Sequence, residues 1–201
     1  LVIDSIGEFE TLTIWKGEGR NLKRVFSQSY PNSLGLWYSA MTQRIGLKPN
    51  EDEYILMGWA ALGDPNKYKT KIFNDFFKPL NPHNARVSFK QNLHRGCKNW
   101  APELDTIQDY ADLAAGTQAV YEYVFTHLVN QTRKLVDSEN LVVMGGCALN
   151  CVANSIAHKA YNGNVWIMPN PGDAGSSLGA VLAYHKDFVE WKGPYLGYNI
   201  H

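Results

Sequence analysis

Residues 142–154 read VVMGGCALNCVAN. An apolar run meets the pair Gly145-Gly146, and small and polar residues then recur at helical spacing. The pattern predicts a strand, a tight turn and a helix. Backbone N–H groups at a helix start lack intrahelical partners, and glycine lets a ligand approach them with no Cβ in the way. The positive end of the helix dipole would favour a phosphate or ribose oxygen there. A sharp turn explains a glycine pair equally well, and no Gly-Lys-Ser/Thr follows to make a P-loop. Asn150 and Asn154, one helical turn apart, read either as two amides offered to a polar ligand or as ordinary helix capping and surface polarity. Cys147 and Cys151, also four apart, read as small buried packing residues on one helix face.

The flanks extend the pattern. A long helix from about Thr106 to Val136 precedes it, with Ile107, Tyr110, Ala114, Ala119, Tyr121, Val124 and Leu128 as an apolar stripe. ENLVVMGG reads as a buried strand, CALNCVANSIAHKAY as a helix, NVWIM as a strand and DAGSSLGAVLAYHKDFV as the last helix. The resulting α-β-α-β-α alternation predicts an α/β layer around a central sheet. Upstream, Leu1–Asp4, Thr11–Trp15 and Leu22–Gln28 read as antiparallel strands. Leu34, Tyr38, Met41 and Ile45 then form a helical stripe that Ser33 caps and Gly46 ends. NEDEYILMGWAALGDP reads as a second short helix or turn, closed by Gly63-Asp64-Pro65. Lys67–Pro102 reads as an irregular excursion with one or two short strands around Val87–Phe89. The opening LVID has no initiator Met and reads as strand from its first residue, so the chain is expected to be a piece of a longer protein.

With 201 residues, 45% of them hydrophobic, the chain can bury a core in one domain or two lobes. Lys+Arg and Asp+Glu both total 19, a balance that argues against a nucleic-acid platform. Three cysteines without metal-site spacing fit a reducing cytoplasm, and no run nears the ~20 apolar residues of a membrane span. The histidines form no HxxxH or HExxH pair, so no self-contained metal site can be read. In PNPGDAGSSLGA, Asp173 reads either as an N-cap or as a metal or substrate ligand. DSIGEFE places carboxylates around a glycine turn. In EDEY, Glu51 and Asp52 read as a solvated turn and Glu53, before an apolar run, as the functional member.

Three stretches carry a family resemblance: YPNSLGLWYSAMTQRIGLKPNEDEYILMGWAALGDP, VVMGGCALNCVANS and PNPGDAGSSLGAVLAY. Together, in this order, they resemble the carbamoyltransferases of nodulation-factor and antibiotic biosynthesis, from about Val2 to Tyr184, with Lys67–Pro102 the weakest part. The resemblance implies an α/β, actin/sugar-kinase/Hsp70-like ATPase fold, similar to the tRNA threonylcarbamoyl-transfer proteins. Residues 1–201 would be the later part of that N-terminal domain, with an irregular insertion at 67–102. A C-terminal domain beyond this chain would make carbamoyl adenylate from carbamoyl phosphate and ATP. The N-terminal domain would then pass the carbamoyl group to a hydroxyl of a sugar or natural-product acceptor, assisted by iron or another divalent metal.

The resemblance also assigns residues. Gly145, Gly146 and Asn150 match a nucleotide-contacting GG-x-x-x-N turn, and Asp173 matches a metal-holding aspartate. Ser33, Gly35 and Tyr38 match SLG-x-x-Y, and Glu53, Met57 and Gly58 match GEYK-x-MG, both lining the cleft. The acidic loop Asp4–Glu8 matches DG-x-GE, and on chemical grounds a carboxylate there, Asp4 or Glu8, is a candidate to orient the acceptor hydroxyl. Departures are Ser5 for the usual Gly, Ile55 for a Lys and Trp59 for a Leu. Losing the lysine removes a cation that could meet a phosphate. The family's metal-ligating HxxxH would lie upstream of Leu1. The expected function is therefore part of an ATP-dependent O-carbamoyltransferase, in the cytoplasm, with no nucleic-acid or membrane partner. A non-catalytic nucleotide-binding or partner-binding module is the alternative. A tRNA-acting relative fits the neutral charge poorly. An open strand edge would favour oligomerisation.

Overall fold

The computed structural model describes residues 1–190 together with Gly193 and Gly197. Three antiparallel strands open it in the order β1 (Val2–Gly7), β2 (Glu10–Glu18) and β3 (Asn21–Ser29). After α1 (Leu34–Arg44), α2 (Glu53–Trp59), α3 (Pro65–Phe76) and α4 (Ile107–Leu135) come β4 (Asn140–Val143), α5 (Cys151–Tyr161), β5 (Asn164–Ile167) and α6 (Ser176–His185). β4 and β5 pair in parallel, Val142 opposite Trp166, with α5 as the crossover. The predicted α-β-α-β-α half is present, and the chain is a mixed α/β structure.

The two small sheets meet at the glycine turn. Ile3 N donates to Met144 O and Met144 N to Leu1 O, both at 2.9 Å, making a parallel bridge between Val2 and Met144. Through that bridge the strands run in the order β3-β2-β1-β4-β5. Gly145 takes φ 92°, and a Cβ there would lie 2.1 Å from Ile3 O. Only glycine permits this approach, so the first member of the pair serves strand β1.

The spine is α4. A Thr106–Asp109 capping box starts it, and Leu113, Ala114, Val120, Tyr121, Val124, Phe125, Leu128 and Val129 bury one face. Ile107, read as part of that stripe, is 82% exposed because it sits in the first turn, ahead of the core. β4 is buried on one face only: Leu141 and Val143 point inward while Val142 is 46% exposed. α6 buries none of its residues. No described helix is long and apolar enough to cross a membrane.

Two expectations need correction. The excursion does not begin at Lys67: Asp64 accepts from Asn66 N, Pro65 occupies the first turn, and α3 runs on to Phe76. No strand forms around Val87–Phe89 beyond a single Phe77–Phe89 bridge. The irregular remainder is satisfied largely by side chains. Gln28 Oε1 accepts from Val87 N and Asn32 Oδ1 from Phe89 N, each at 2.9 Å. Arg44 reaches the carbonyls of Trp100, Ala101 and Leu104 at 2.5, 2.6 and 2.7 Å.

His127 ties the same excursion to α4 through an Nε2 contact to Asn84 O at 3.1 Å. Burial lowers its pKa below the usual histidine value, so the folded state prefers neutral imidazole. Its contribution is therefore complete above the unfolded-state value and declines as pH falls through the lower folded-state value. Urea midpoints followed from pH 7.5 to 5 should fall in the wild type, and less so in His127→Gln.

The helix after the glycines is the second correction. Gly146–Leu149 form a 3₁₀ turn, and α5 begins only at Cys151, with Asn150 as its N-cap. Asn150 Oδ1 accepts from Ala153 N at 3.0 Å, an option the polar side chain carries by itself. Gly146 thus lies one turn before the α5 N-terminus, and Cys147 and Cys151 do not share a helix face. Cys151 is exposed rather than packed.

Candidate functional site

A cleft of about 430 Å³ opens between β1, α1, α2, the Gly146–Leu149 turn and the segment after β5. It gathers Asp4, Gly35, Tyr38, Glu53, Met57, Gly146, Asn150 and Asp173 from every motif singled out above. Ser33, Gly58, Gly145 and Glu8 do not line it.

Each absence has a local reason. Ser33 is buried as the α1 N-cap: its Oγ accepts from Leu36 N at 3.1 Å and donates to Ser5 O at 2.6 Å. This pins the start of α1 to β1. Gly58 lies on the exposed side of α2 with no atom near its missing side chain. Gly145 is held under Ile3. Glu8, at φ 43° in the β1–β2 turn, is exposed and lines a smaller hollow of about 180 Å³ with Glu10 and Arg24. Asp4 lines both.

Within the cleft, Gly35 is required by packing, since a Cβ would stand 2.8 Å from Ser5 N and Cα. Gly146 is different: its Cβ would meet only Asp4 Oδ1, at 3.0 Å, and its φ is one that other residues adopt. The vacant side of Gly146 therefore faces the cleft. Asp4 Oδ1 accepts from Ser5 N at 2.7 Å. Glu53 Oε1 accepts from Ser39 Oγ at 2.5 Å and Asn50 N at 2.7 Å, which fixes the α2 start against α1. Asp173 is exposed and begins a 3₁₀ turn; the N-cap positions of that turn and of α6 are Gly172 and Gly175, so Asp173 caps neither.

Tyr38 and Asn150 meet on a residue the sequence reading did not single out. Gln118, on α4, bonds both of them and also Glu122. Burial, reinforced by the nearby Glu53 and Glu122 charges, pushes the Tyr38 phenol well above its ordinary value, so it stays neutral. A polar residue inside the apolar stripe between Ala114 and Tyr121 was the available signal. Among the described residues the lining includes four carboxylates, Asp4, Glu51, Glu53 and Asp173, and no Lys, Arg or His. Ile6, Tyr54, Met57 and Leu149 supply apolar surface.

A family model, Carbamoyltransferase N-terminus, matches residues 1–182. This chain belongs to that family. Among curated relatives, the uncharacterized protein sll1178 of Synechocystis sp. is 35% identical over 205 residues, covering 94% of this chain and 33% of the relative. Nodulation protein NolO of Bradyrhizobium diazoefficiens is 29% identical over 184 residues, with 90% and 33% covered. Nodulation protein NolNO of Sinorhizobium fredii is 27% identical over 186 residues, with 90% and 27% covered. The chain thus spans about a third or less of the length of these relatives.

Among the described residues, no group of three or more His, Cys, Asp or Glu is placed to hold a metal. Asp173 offers one carboxylate. Cys147 lines the cleft, but burial, with the Asp4 charge adding to it, pushes its thiol up to about 12, so it is protonated and a poor nucleophile. Burial likewise raises Cys97 to about 12. At pH 8 a thiol-titrating reagent should label one cysteine rapidly, Cys151, and all three after unfolding. Fast labelling of Cys147 would contradict this environment.

Proposed function

We propose that this chain supplies the transfer cleft of an ATP-dependent O-carbamoyltransferase, in an actin/sugar-kinase/Hsp70-like lobe. Support for the lobe is the strand order β3-β2-β1-β4-β5, with the first three antiparallel and the last two parallel. Support for the function is the convergence of Asp4, Gly35, Tyr38, Glu53, Gly146, Asn150 and Asp173 on one cleft in a member of this family. The substrates would be carbamoyl phosphate and ATP, joined as carbamoyl adenylate, and a hydroxyl acceptor on a sugar or natural product. Adenylate formation falls to residues outside this chain.

The lining favours one part of an adenylate over the others. Four carboxylates, with no lining cation among the described residues, disfavour a triphosphate. Asn150, Tyr38 and the apolar surface of Met57 and Leu149 suit a nucleoside, with the open side of Gly146 admitting it closely. Transfer forms the bond from the acceptor oxygen to the carbamoyl carbon and breaks the bond from that carbon to the phosphate oxygen, releasing AMP. The acceptor proton needs a base, and Asp4 at the cleft floor is the candidate. Glu8, placed on a different hollow, is not. A divalent metal at Asp173 would need its other ligands from elsewhere, so no step is assigned to one.

The test is turnover by the full-length polypeptide carrying this chain. With ATP, carbamoyl phosphate and a polyol acceptor it should release AMP and carbamoylated acceptor. Asp4→Asn should lower kcat by about 10²-fold or more while AMP binding persists. Unchanged turnover in Asp4→Asn would remove Asp4 from the chemistry. AMP binding without turnover in the wild type would favour the non-catalytic nucleotide-binding module.

A further inference from the structure

Gln118 is only 4% exposed, and its amide is fully committed. Oε1 accepts from Tyr38 Oη at 2.8 Å and from Asn150 Nδ2 at 2.9 Å. Nε2 donates to Glu122 Oε1 at 3.0 Å and to Asn150 Oδ1 at 3.1 Å. Two lone pairs and two hydrogens are all an amide has, so the orientation of Gln118 is unique. The Glu122 Oε1 acceptor on one side sets which end of Gln118 is nitrogen.

That choice propagates. Asn150 faces Gln118 as a reciprocal amide pair, and its Oδ1 also takes the α5 cap bond from Ala153 N. Turning the Asn150 amide over would set N–H against N–H at both Ala153 and Gln118. Its nitrogen and the Tyr38 hydroxyl therefore both end on Gln118 Oε1, which sets them side by side at the cleft wall. The Tyr38 hydrogen is given to Gln118, which leaves the phenol oxygen as an acceptor. A donor nitrogen beside an acceptor oxygen matches a hydroxyl group, which can both accept and donate.

We propose that Gln118 is a positioning residue that fixes the hydrogen-bond polarity of the cleft, presenting Asn150 as donor and Tyr38 as acceptor to a ligand hydroxyl. It touches no ligand itself and acts through those two side chains. The inference rests on the nucleoside reading of the cleft.

The test uses AMP as probe, with affinity by calorimetry and melting temperature measured in parallel. Gln118→Glu keeps the acceptor for Tyr38 but sets a carboxylate against Asn150 Oδ1 and Glu122. Adding Glu122→Gln returns a donor to that carboxylate, relieving the like-charge contact, yet leaves the Asn150 conflict in place. The double variant should therefore melt above Gln118→Glu alone, though somewhat below the wild type, and bind AMP at least about tenfold more weakly, a factor well outside calorimetric error. Adding Asn150→Ala to Gln118→Glu should cause no further loss beyond Asn150→Ala alone, as expected for residues acting as one unit. Wild-type affinity in the refolded double variant, or fully additive losses, would overturn the positioning role alone. A wild type that fails to bind AMP would overturn the nucleoside reading and this inference with it. Should the double variant melt far below the wild type, Gln118 would be holding the fold rather than tuning the cleft, and the proposal would also fail.

Discussion

Gly145→Ala should destabilise the chain by about 3–5 kcal/mol, the sum of a backbone conformation that side chains rarely adopt and a core overlap that must be relieved. The overlap is with backbone: the new methyl would sit 2.1 Å from Ile3 O and 2.9 Å from Ile3 N. No rotamer change can move those atoms. Relief requires β1 to leave β4, which breaks the Ile3–Met144 and Met144–Leu1 bonds joining the two sheets. The loss should appear as a large drop in urea midpoint, accompanied by early amide exchange at Ile3 and Met144. A variant within about 1 kcal/mol of the wild type would show that the junction carries little of the stability.

Arg44→Met should cost about 3–4 kcal/mol, because a buried guanidinium gives three hydrogen bonds to carbonyls and each loses its partner at once. Arg44 ends α1, is buried, and lies over the Tyr110 ring as well. Its three acceptors all belong to the irregular segment before α4, where Ala101 is held at φ 51°. Methionine fills much of the volume but donates nothing, so the carbonyls of Trp100, Ala101 and Leu104 would be stranded. Arg44→Lys keeps the charge without the fork and should recover only part of the loss. Limited proteolysis offers a second readout, since cleavage should concentrate between residues 96 and 106 in Arg44→Met. Equal stability of the arginine and methionine proteins would remove this account of how the excursion is held.

Much of the fold was legible because its signals are local. Alternation marks β1 to β3, the Ser33 cap and its stripe mark α1, and a capping box with a long stripe marks α4. What escaped was set by neighbours distant in sequence. α3 had a readable start in Asp64-Pro65, but the dense lysines and aromatics that follow mask a helix whose Ile72 packs at Gly116 of α4 and whose Phe76 meets Trp100 in the segment before it. The irregular segment after it looks unstructured in sequence because its bonds go to Gln28, Asn32 and Arg44.

The site divides along the same line. The two glycines are indistinguishable in VVMGGCALNCVAN, yet one answers to Ile3 and the other to the cleft. That division follows from β1, about 140 residues away in the chain, approaching from the far side. Asn150 proved to be both a cap and a wall of the cleft, readings that spacing presents as rivals. Asp173 is not a cap, which only the position of Gly172 and Gly175 reveals. Gln118 was hidden as one polar residue in a helix whose apolar neighbours drew the reading.

Calorimetric titration of AMP into the wild-type chain and into Gly146→Ala tests the central claim most directly. The methyl group needs no unusual backbone conformation and meets only a movable Asp4 oxygen, so stability should stay within about 1 kcal/mol. It would nevertheless press on the Asp4 carboxyl and occupy the open side of the turn where a nucleoside would approach. The wild type should bind AMP, and Gly146→Ala should bind it at least about tenfold more weakly with an unchanged melting temperature. No binding by the wild type, or equal binding by both proteins, would contradict the reading of this cleft as the adenylate site.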